Sequence, residues 1–498
     1  MGINTALSAR NSLPSHILLT RLRHYLAVIG NFIVPEFLLE PCPNKKSLHE
    51  TAWLDGLRGV AALLVVLQHE HSMINMGHAY CYHYPEQTSP AAWPFVRLLF
   101  SGGSFAVILF FLISGYVVPR RLLRLMHEGR QAEFIEALTS AVVRRHGRLL
   151  MPAMLSALLT ICFYWFTGWE PNWDNNKFAS NFFQELWWWV LDCLQMLNYF
   201  TAFASYYNRV TWTIVAELKG SMALFAWLFA VHQMRVQFRL LATLALSFFL
   251  VIFGRGAMYS AFFAGMITCE LDLLTASGEI NRLWLPWRGI SDYLKSRERA
   301  RSIFLHSGLF FGLLFASTPL LHTDKPVKEA IANCSSWPSV LFNIVPWQYW
   351  NNWPDIAYRD FWWFWGAWLS AASIKEIRWA RKLFETSFAQ YLGRHSFSLY
   401  LTHLVVGATF SRIVLILTGF GHLGGPDANS PYDRIPIAAW RPAFPPHIGP
   451  AGFQPGMLLD LTLSLPVMFW VAEMGTKIFD RPSVRMSVWM YEKFKKLR

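Results

Sequence analysis

Hydrophobic positions along this chain come in long unbroken blocks, without the strict alternation of half-buried strands. Ten blocks approach the length of a bilayer span: about 56–74, 98–118, 149–169, 211–231, 240–254, 256–274, 303–321, 360–374, 396–418 and 456–479. The blocks at 240–254 and 360–374 are short, and suit tilted, re-entrant or bundle-buried segments as well as full spans. The pattern predicts an all-α fold, a polytopic transmembrane helix bundle of about ten spans. It divides the chain into a cytosolic lead-in at 1–53, a membrane domain at 54–480 and a basic cytosolic tail at 481–498. Within the lead-in, Leu26 to Leu39 is apolar in patches, broken by Gly30, Asn31 and Pro35, and reads as interfacial or packed. No block carries the cleavage pattern of a signal peptide, so the first strong run reads as an internal start-transfer span. The stretches 170–210, with Trp187, Trp188 and Trp189, and 322–359, with Trp337, Trp347, Trp350 and Trp353, suit the headgroup level. Segment 420–455 is too rich in Gly and Pro for a regular helix, and reads as a cap on the bundle or a border to an acceptor entrance.

Composition agrees. With 54% hydrophobic and 15% charged residues, 24 Trp and 40 Phe among 498, the chain lies outside the range of ordinary soluble enzymes. A net charge of +13 raises the question of nucleic acid, and the distribution answers it. With the N-terminus cytosolic, 31 of the 44 Lys and Arg fall on cytosolic segments and nine on the opposite side. The long loops 170–210, 322–359 and 419–455 hold only seven between them. The positive-inside rule therefore places both termini in the cytosol. The basic excess expresses topology and attraction to anionic membrane lipids, and no nucleic-acid partner is expected. The endoplasmic reticulum is the expected membrane. The six cysteines show no metal-ligand spacing, and no metal is expected. Cys81 and Cys334 both fall in exoplasmic loops, where a disulfide is one option. Asn333-Cys334-Ser335 is a glycosylation sequon on that same side.

Ionisable groups inside apolar blocks are expensive, and each is a functional hypothesis. In Leu54–His69, Arg58 and His69 stand eleven residues apart. On a helix that places them about 20° apart in rotation and about 16 Å apart along the axis, the reach of a pantetheine arm. Asp55 falls within roughly 40° of the same face, and either orients Arg58 or serves as a helix N-terminal charge. An imidazole suits removal of a hydroxyl proton near neutral pH, as acyl transfer from a thioester to an alcohol requires. The bland alternatives are a buried histidine satisfied by helix contacts and an interfacial topology charge. Glu70 and His71 are second-tier candidates farther along the helix. Glu217, with Thr213 one turn earlier, reads as a group that orients His69 or contacts the acceptor, or as an intrahelical polar network. Arg144, Arg145 and Arg148 stand where a cytosolic loop enters a block, and suit phosphate recognition or topology alone. Ser114 stands beside Gly115, a pairing that also permits close helix packing. His403 suits coenzyme binding, placement of a water, or packing.

Five segments in order carry a resemblance. Leu54–His69 resembles the first-span signature of the acyltransferase-3 family, membrane enzymes that move acyl groups from coenzyme A to hydroxyls. Phe110–Tyr116 resembles its F-F-x-x-S-G-[FY] helix end, and Thr211–Glu217 its W-[ST]-x-x-x-E segment. Arg144–Pro152 resembles R-R-x-x-R-L-x-P, with one extra residue before the proline. Leu392–His403 resembles L-G-x-x-S-[YF]-S-L-Y-L-x-H, which brings in Tyr400 as a supporting residue. The resemblance covers about 50–485, and the long lead-in is closer to fungal biosynthetic members than to bacterial envelope enzymes. It implies an O-acyltransferase, and most simply an O-acetyltransferase with acetyl-CoA as co-substrate and no permanently bound cofactor. His69 and Glu217 would be catalytic, and Arg58, Arg144, Arg145 and Arg148 would hold the coenzyme phosphates. The implied acceptor is a small lipophilic alcohol such as a terpenoid or meroterpenoid, with a sugar or lipid as alternatives. A proton-coupled transporter would use similar intramembrane charges, but no inverted repeat is apparent.

Overall fold

The fold is described from a computed structural model at residues 34–36, 48–74, 80–81, 89–168, 179–200, 203–254, 256–320, 334, 336–349, 354–418, 449–450 and 452–496. Met1–Ser47 and Leu48–Arg498 are separate units, and the account concerns the second. Trp173, Asn333, Trp350 and Trp353, most of Leu26–Leu39 and nearly all of 420–455 lie outside the described residues.

The apolar blocks become helices. The principal ones are α1 (Ala52–Ile74), α2 (Gly103–Val117), α3 (Gln131–Thr167), α4 (Phe182–Met196), α5 (Trp212–Val231), α6 (Val236–Ile252), α7 (Ala257–Ser277), α8 (Glu298–Ala316), α9 (Pro354–Glu376), α10 (Ser387–Val406), α11 (Pro455–Gly475) and α12 (Arg481–Lys496). The fold class is all-α, and among the described residues the β structure is a single isolated bridge between Tyr80 and Leu320. Six stretches are long and apolar enough to cross a membrane: Gly103–His127, Gln131–Thr167, Arg209–Val231, Ala257–Ser277, Ser387–Leu417 and Pro455–Lys495. Hydropathy alone suggested about ten. The difference has a physical basis: α6 has only 17 residues, α1 carries Asp55, Arg58 and Glu70, and α8 opens on Glu298, Arg299 and Arg301.

Glycine draws the helices together. A Cβ on Gly59 of α1 would lie 2.4 Å from the Gly393 nitrogen of α10, and one on Gly393 would lie 2.4 Å from the Asp55 carbonyl oxygen. The two backbones are therefore nearly in contact, as small residues allow in membrane bundles. Gly115 of α2 and Gly265 of α7 make a second such seam, against the carbonyls of Phe262 and Leu112. Several buried charged groups pair across helices. Arg239 donates to Glu270, which His127 also meets, and Asp272 holds both Tyr116 and Lys375.

The Cys81–Cys334 disulfide, one option for two cysteines in loops on the same side, is present, with Cα atoms 5.2 Å apart. It lies beyond the C-terminal end of α1, the end opposite Arg58. Helix α4, aromatic and only 15 residues long, stays outside the set of spanning candidates and exposes Phe183, Trp187 and Leu194. Its two carboxylates turn inward. Glu185 accepts from the Tyr207 hydroxyl at 2.6 Å, and Asp192 accepts from the Tyr206 amide at 3.0 Å and from Ser205. Burial raises the Asp192 carboxyl above its ordinary value. Together these bonds clamp residues 205–207 against α4.

Candidate active site

Two cavities open inside the bundle. One, of about 330 Å³, is lined by four guanidiniums, those of Arg58, Arg145, Arg148 and Arg394, together with the carboxylates of Glu217 and Asp480. The other, of about 770 Å³, is lined by His69 and mainly by apolar groups, among them Val65, Trp212, Met258, Trp363 and Leu404. Arg209, Arg359 and Asp360 also reach its wall.

In the basic cavity, Arg58 is oriented by α10. Its Nε donates to Ser396 Oγ at 3.1 Å, a terminal nitrogen donates to the Gly393 carbonyl at 3.0 Å, and Asp55 lies 3.5 Å away. The glycine seam makes this possible, because only close backbones bring the Gly393 carbonyl within reach of a side chain one turn along α1. Ser396 and Arg394 lie inside the last motif, but no periodicity of the α1 sequence points to them. Arg145 ion-pairs with Glu217 at 2.5 Å and donates to Ser221 at 3.0 Å, while Ser114 donates to the same Glu217 oxygen at 2.8 Å.

The structure narrows three expectations here. Glu217 does not orient His69: among the described residues its carboxylate is bonded to Ser114 and Arg145, on the wall of the basic cavity. Helical spacing identifies a face, but the helix opposite it comes only from packing. Arg144 is not in this cavity. Adjacent helix positions differ by about 100°, and Arg144 turns back to the Ser140 carbonyl at 3.3 Å, while Arg145 and Arg148 share a face. Of the readings open for His403, the structure shows packing, with its ring beside that of His69 and the centroids 4.9 Å apart.

The two imidazoles define each other's tautomers. His403 Nδ1 faces the Leu399 carbonyl at 3.2 Å, and a carbonyl only accepts, so Nδ1 carries the proton and Nε2 a lone pair. That Nε2 lies 3.2 Å from His69 Nδ1, which also faces the Val65 carbonyl at 2.9 Å. His69 Nδ1 is therefore the protonated nitrogen, with two acceptors before it. Its Nε2 is left with a lone pair, in a ring that lines the larger cavity. The ring is held in the orientation a proton acceptor needs.

Thr213 meets Tyr400 rather than Glu217: its Oγ1 donates to the Tyr400 hydroxyl at 2.8 Å, and that hydroxyl donates to the Val210 carbonyl at 3.1 Å. Asn208 ties the same corner to α10 through the Leu401 carbonyl at 2.9 Å. Glu70 and His71 are buried away from the larger cavity, with Glu70 against Gly407 and the His71 ring 4.4 Å from Phe100.

Comparison with known proteins agrees with this chemistry. The acyltransferase-3 family, whose profile is described as an acyltransferase domain, matches residues 51–440. An O-acetyltransferase of Phomopsis amygdali, PaAT-1, is 29% identical over 396 residues, covering 72% of this chain and 73% of its own. The acyltransferase clz18 of Cochliobolus lunatus is 26% identical over 434 residues, covering 74% of this chain and 85% of its own. No solved structure matches. With the family matching more than half of its length and its arginine and histidine motifs gathered around two adjoining cavities, this chain belongs to the acyltransferase-3 family of membrane acyltransferases.

Proposed function

We propose that this protein is a membrane O-acetyltransferase that takes acetyl-CoA into the basic cavity and a small lipophilic alcohol into the larger one. The observation that carries the reading is the pairing of the cavities: guanidiniums suited to phosphate line one, and an oriented imidazole lines the other. The larger cavity is within the range of small-molecule sites, and its apolar walls favour a hydrocarbon skeleton over a sugar. A terpenoid or meroterpenoid alcohol fits that description.

In this reading, His69 Nε2 takes the proton of the acceptor hydroxyl as its oxygen bonds to the thioester carbonyl carbon. The imidazolium keeps its Nδ1–H directed at Val65 and His403, which stabilise the positive ring. Collapse of the tetrahedral intermediate breaks the carbon–sulfur bond, and the proton passes from His69 to the coenzyme sulfur. No external base is consumed. Arg58, Arg145 and Arg148 would hold the phosphates, with Glu217 keeping Arg145 in place. The charge distribution supports a cytosolic basic cavity and cytosolic termini, and the disulfide at the other end of α1 suits an oxidising lumen such as that of the endoplasmic reticulum.

The direct test incubates purified protein with acetyl-CoA carrying a labelled acetyl group and a pool of terpenoid, sterol and sugar alcohols. Label recovered in an ester of a lipophilic alcohol is the expected result. Absence of transfer to every alcohol, with coenzyme bound, would reject the reading.

A further inference from the structure

The two cavities share part of their wall. Among the described residues, Val107 of α2 and Tyr400 of α10 line both. Each is nearly inaccessible to solvent. Tyr400 is fixed at both ends. Its hydroxyl bonds Thr213 and Val210, and its ring meets Phe110 edge-on at 6.0 Å on the basic side and His403 at 5.9 Å on the other. His403 in turn stands beside His69. The two residues therefore stand between the arginines of one cavity and the imidazole of the other.

We propose that Val107 and Tyr400 form a constriction that the thioester threads acyl end first, and that selects acyl donors by cross-section. This rests on the reading of the basic cavity as the coenzyme site. If the phosphates lie near Arg58, about 16 Å from His69 along α1, the arm must extend through the constriction to bring its carbonyl to the imidazole. Cysteamine and β-alanine are unbranched, so a gap wide enough for the arm passes acetyl and straight-chain acyl groups. A branch next to the carbonyl widens the leading end beyond the arm that follows it. Such a donor is held back in the basic cavity with its carbon–sulfur bond intact, since the bond can break only when the alcohol oxygen attacks on the far side. A pinned tyrosine, rather than a free side chain, gives the gap a fixed width.

The test compares n-butyryl-CoA with isobutyryl-CoA, which have the same carbon count and differ in width. Wild type should use the straight isomer at least tenfold better, the scale at which a pocket rejects one misplaced carbon. Val107→Ala should raise isobutyryl transfer roughly tenfold or more while acetyl transfer changes less. Val107→Ile should depress n-butyryl transfer more than acetyl transfer. Both substitutions are mild for a helix, and size-exclusion and thermal unfolding check each fold. Tyr400→Leu provides a second widening from the opposite wall. Equal use of the two isomers by wild type overturns the proposal, as does folded Val107→Ala without gain of isobutyryl transfer. If Val107→Ala fails to fold, an unchanged acyl preference in Val107→Ile and Tyr400→Leu overturns it equally. Failure of wild type to transfer acetyl at all would instead reject the coenzyme reading on which it rests.

Discussion

The basic cavity and the larger apolar cavity differ in where their walls come from. Nearly all of the basic wall lies in the five short motifs: Arg58, Ser114, Arg145, Arg148, Glu217, Arg394, Ser396 and Tyr400. The apolar wall takes Val65, Gln68, His69, Trp212 and Tyr400 from the motifs, and otherwise draws on stretches outside them, including Phe203–Tyr206, Met258, Arg359 and Trp363. A charged coenzyme is the same molecule whatever the acceptor, and needs the same cations at the same spacing. A lipophilic acceptor is held by shape, which many side chains can build. Under the proposed function, the comparison assigns the reaction's chemistry mostly to the motifs and the choice of acceptor mostly to the segments between them.

The largest expected effect breaks the division at its centre. His69→Ala should lower acetyl transfer by roughly 100-fold or more, the scale of a lost general base, while coenzyme still binds. Near-normal turnover in a folded variant would leave His69 a packing residue and the larger cavity without its chemistry.

Arg58→Gln should act on one side only. The KM for acetyl-CoA should rise by about ten- to hundredfold, as expected for loss of a charge-assisted phosphate contact worth about 1.5–3 kcal/mol, with the KM for alcohol little changed. Arg58→Lys should recover part of the loss, because a point charge replaces a planar fork. Full recovery with Lys, or no change with Gln, would reduce Arg58 to an interfacial charge.

The mirror test acts on the other side. Met258→Trp adds bulk to the apolar wall and should raise the KM for the larger alcohols roughly tenfold while the coenzyme KM stays put. A coenzyme effect of equal size would show that the cavities are not separate in function.

The mildest test leaves turnover as it is and asks which way each cavity faces. A cysteine placed at Arg130, in the exposed turn before α3, should react with an impermeant thiol reagent from the cytosolic face of sealed vesicles. Labelling from the lumen would turn the basic cavity away from cytosolic acetyl-CoA.

Particular residues show what could be read in advance. The helical character, the common face of Arg58 and His69, and the pairing of Asp55 with Arg58 follow from periodicity, which is a local property of the chain. Cys81 and Cys334 were readable as an option because both fall in loops expected on one side. Glu217, Arg144 and His403 were recognisable as notable, yet the sequence left open which of several roles each has, and their contacts come from the fold. Each partner lies on another helix or, for Arg144, depends on a rotation of one residue.

What the sequence determined by itself was a membrane-embedded helix bundle, its charge asymmetry and the family motifs, because hydropathy, charge and short spacings are written along the chain. What only the tertiary structure decided was the grouping: Ser396 against Arg58, His403 against His69, and Val107 and Tyr400 on the wall shared by two cavities. Those contacts join residues hundreds of positions apart through seams where Gly59 meets Gly393, and close packing rather than periodicity sets which faces meet.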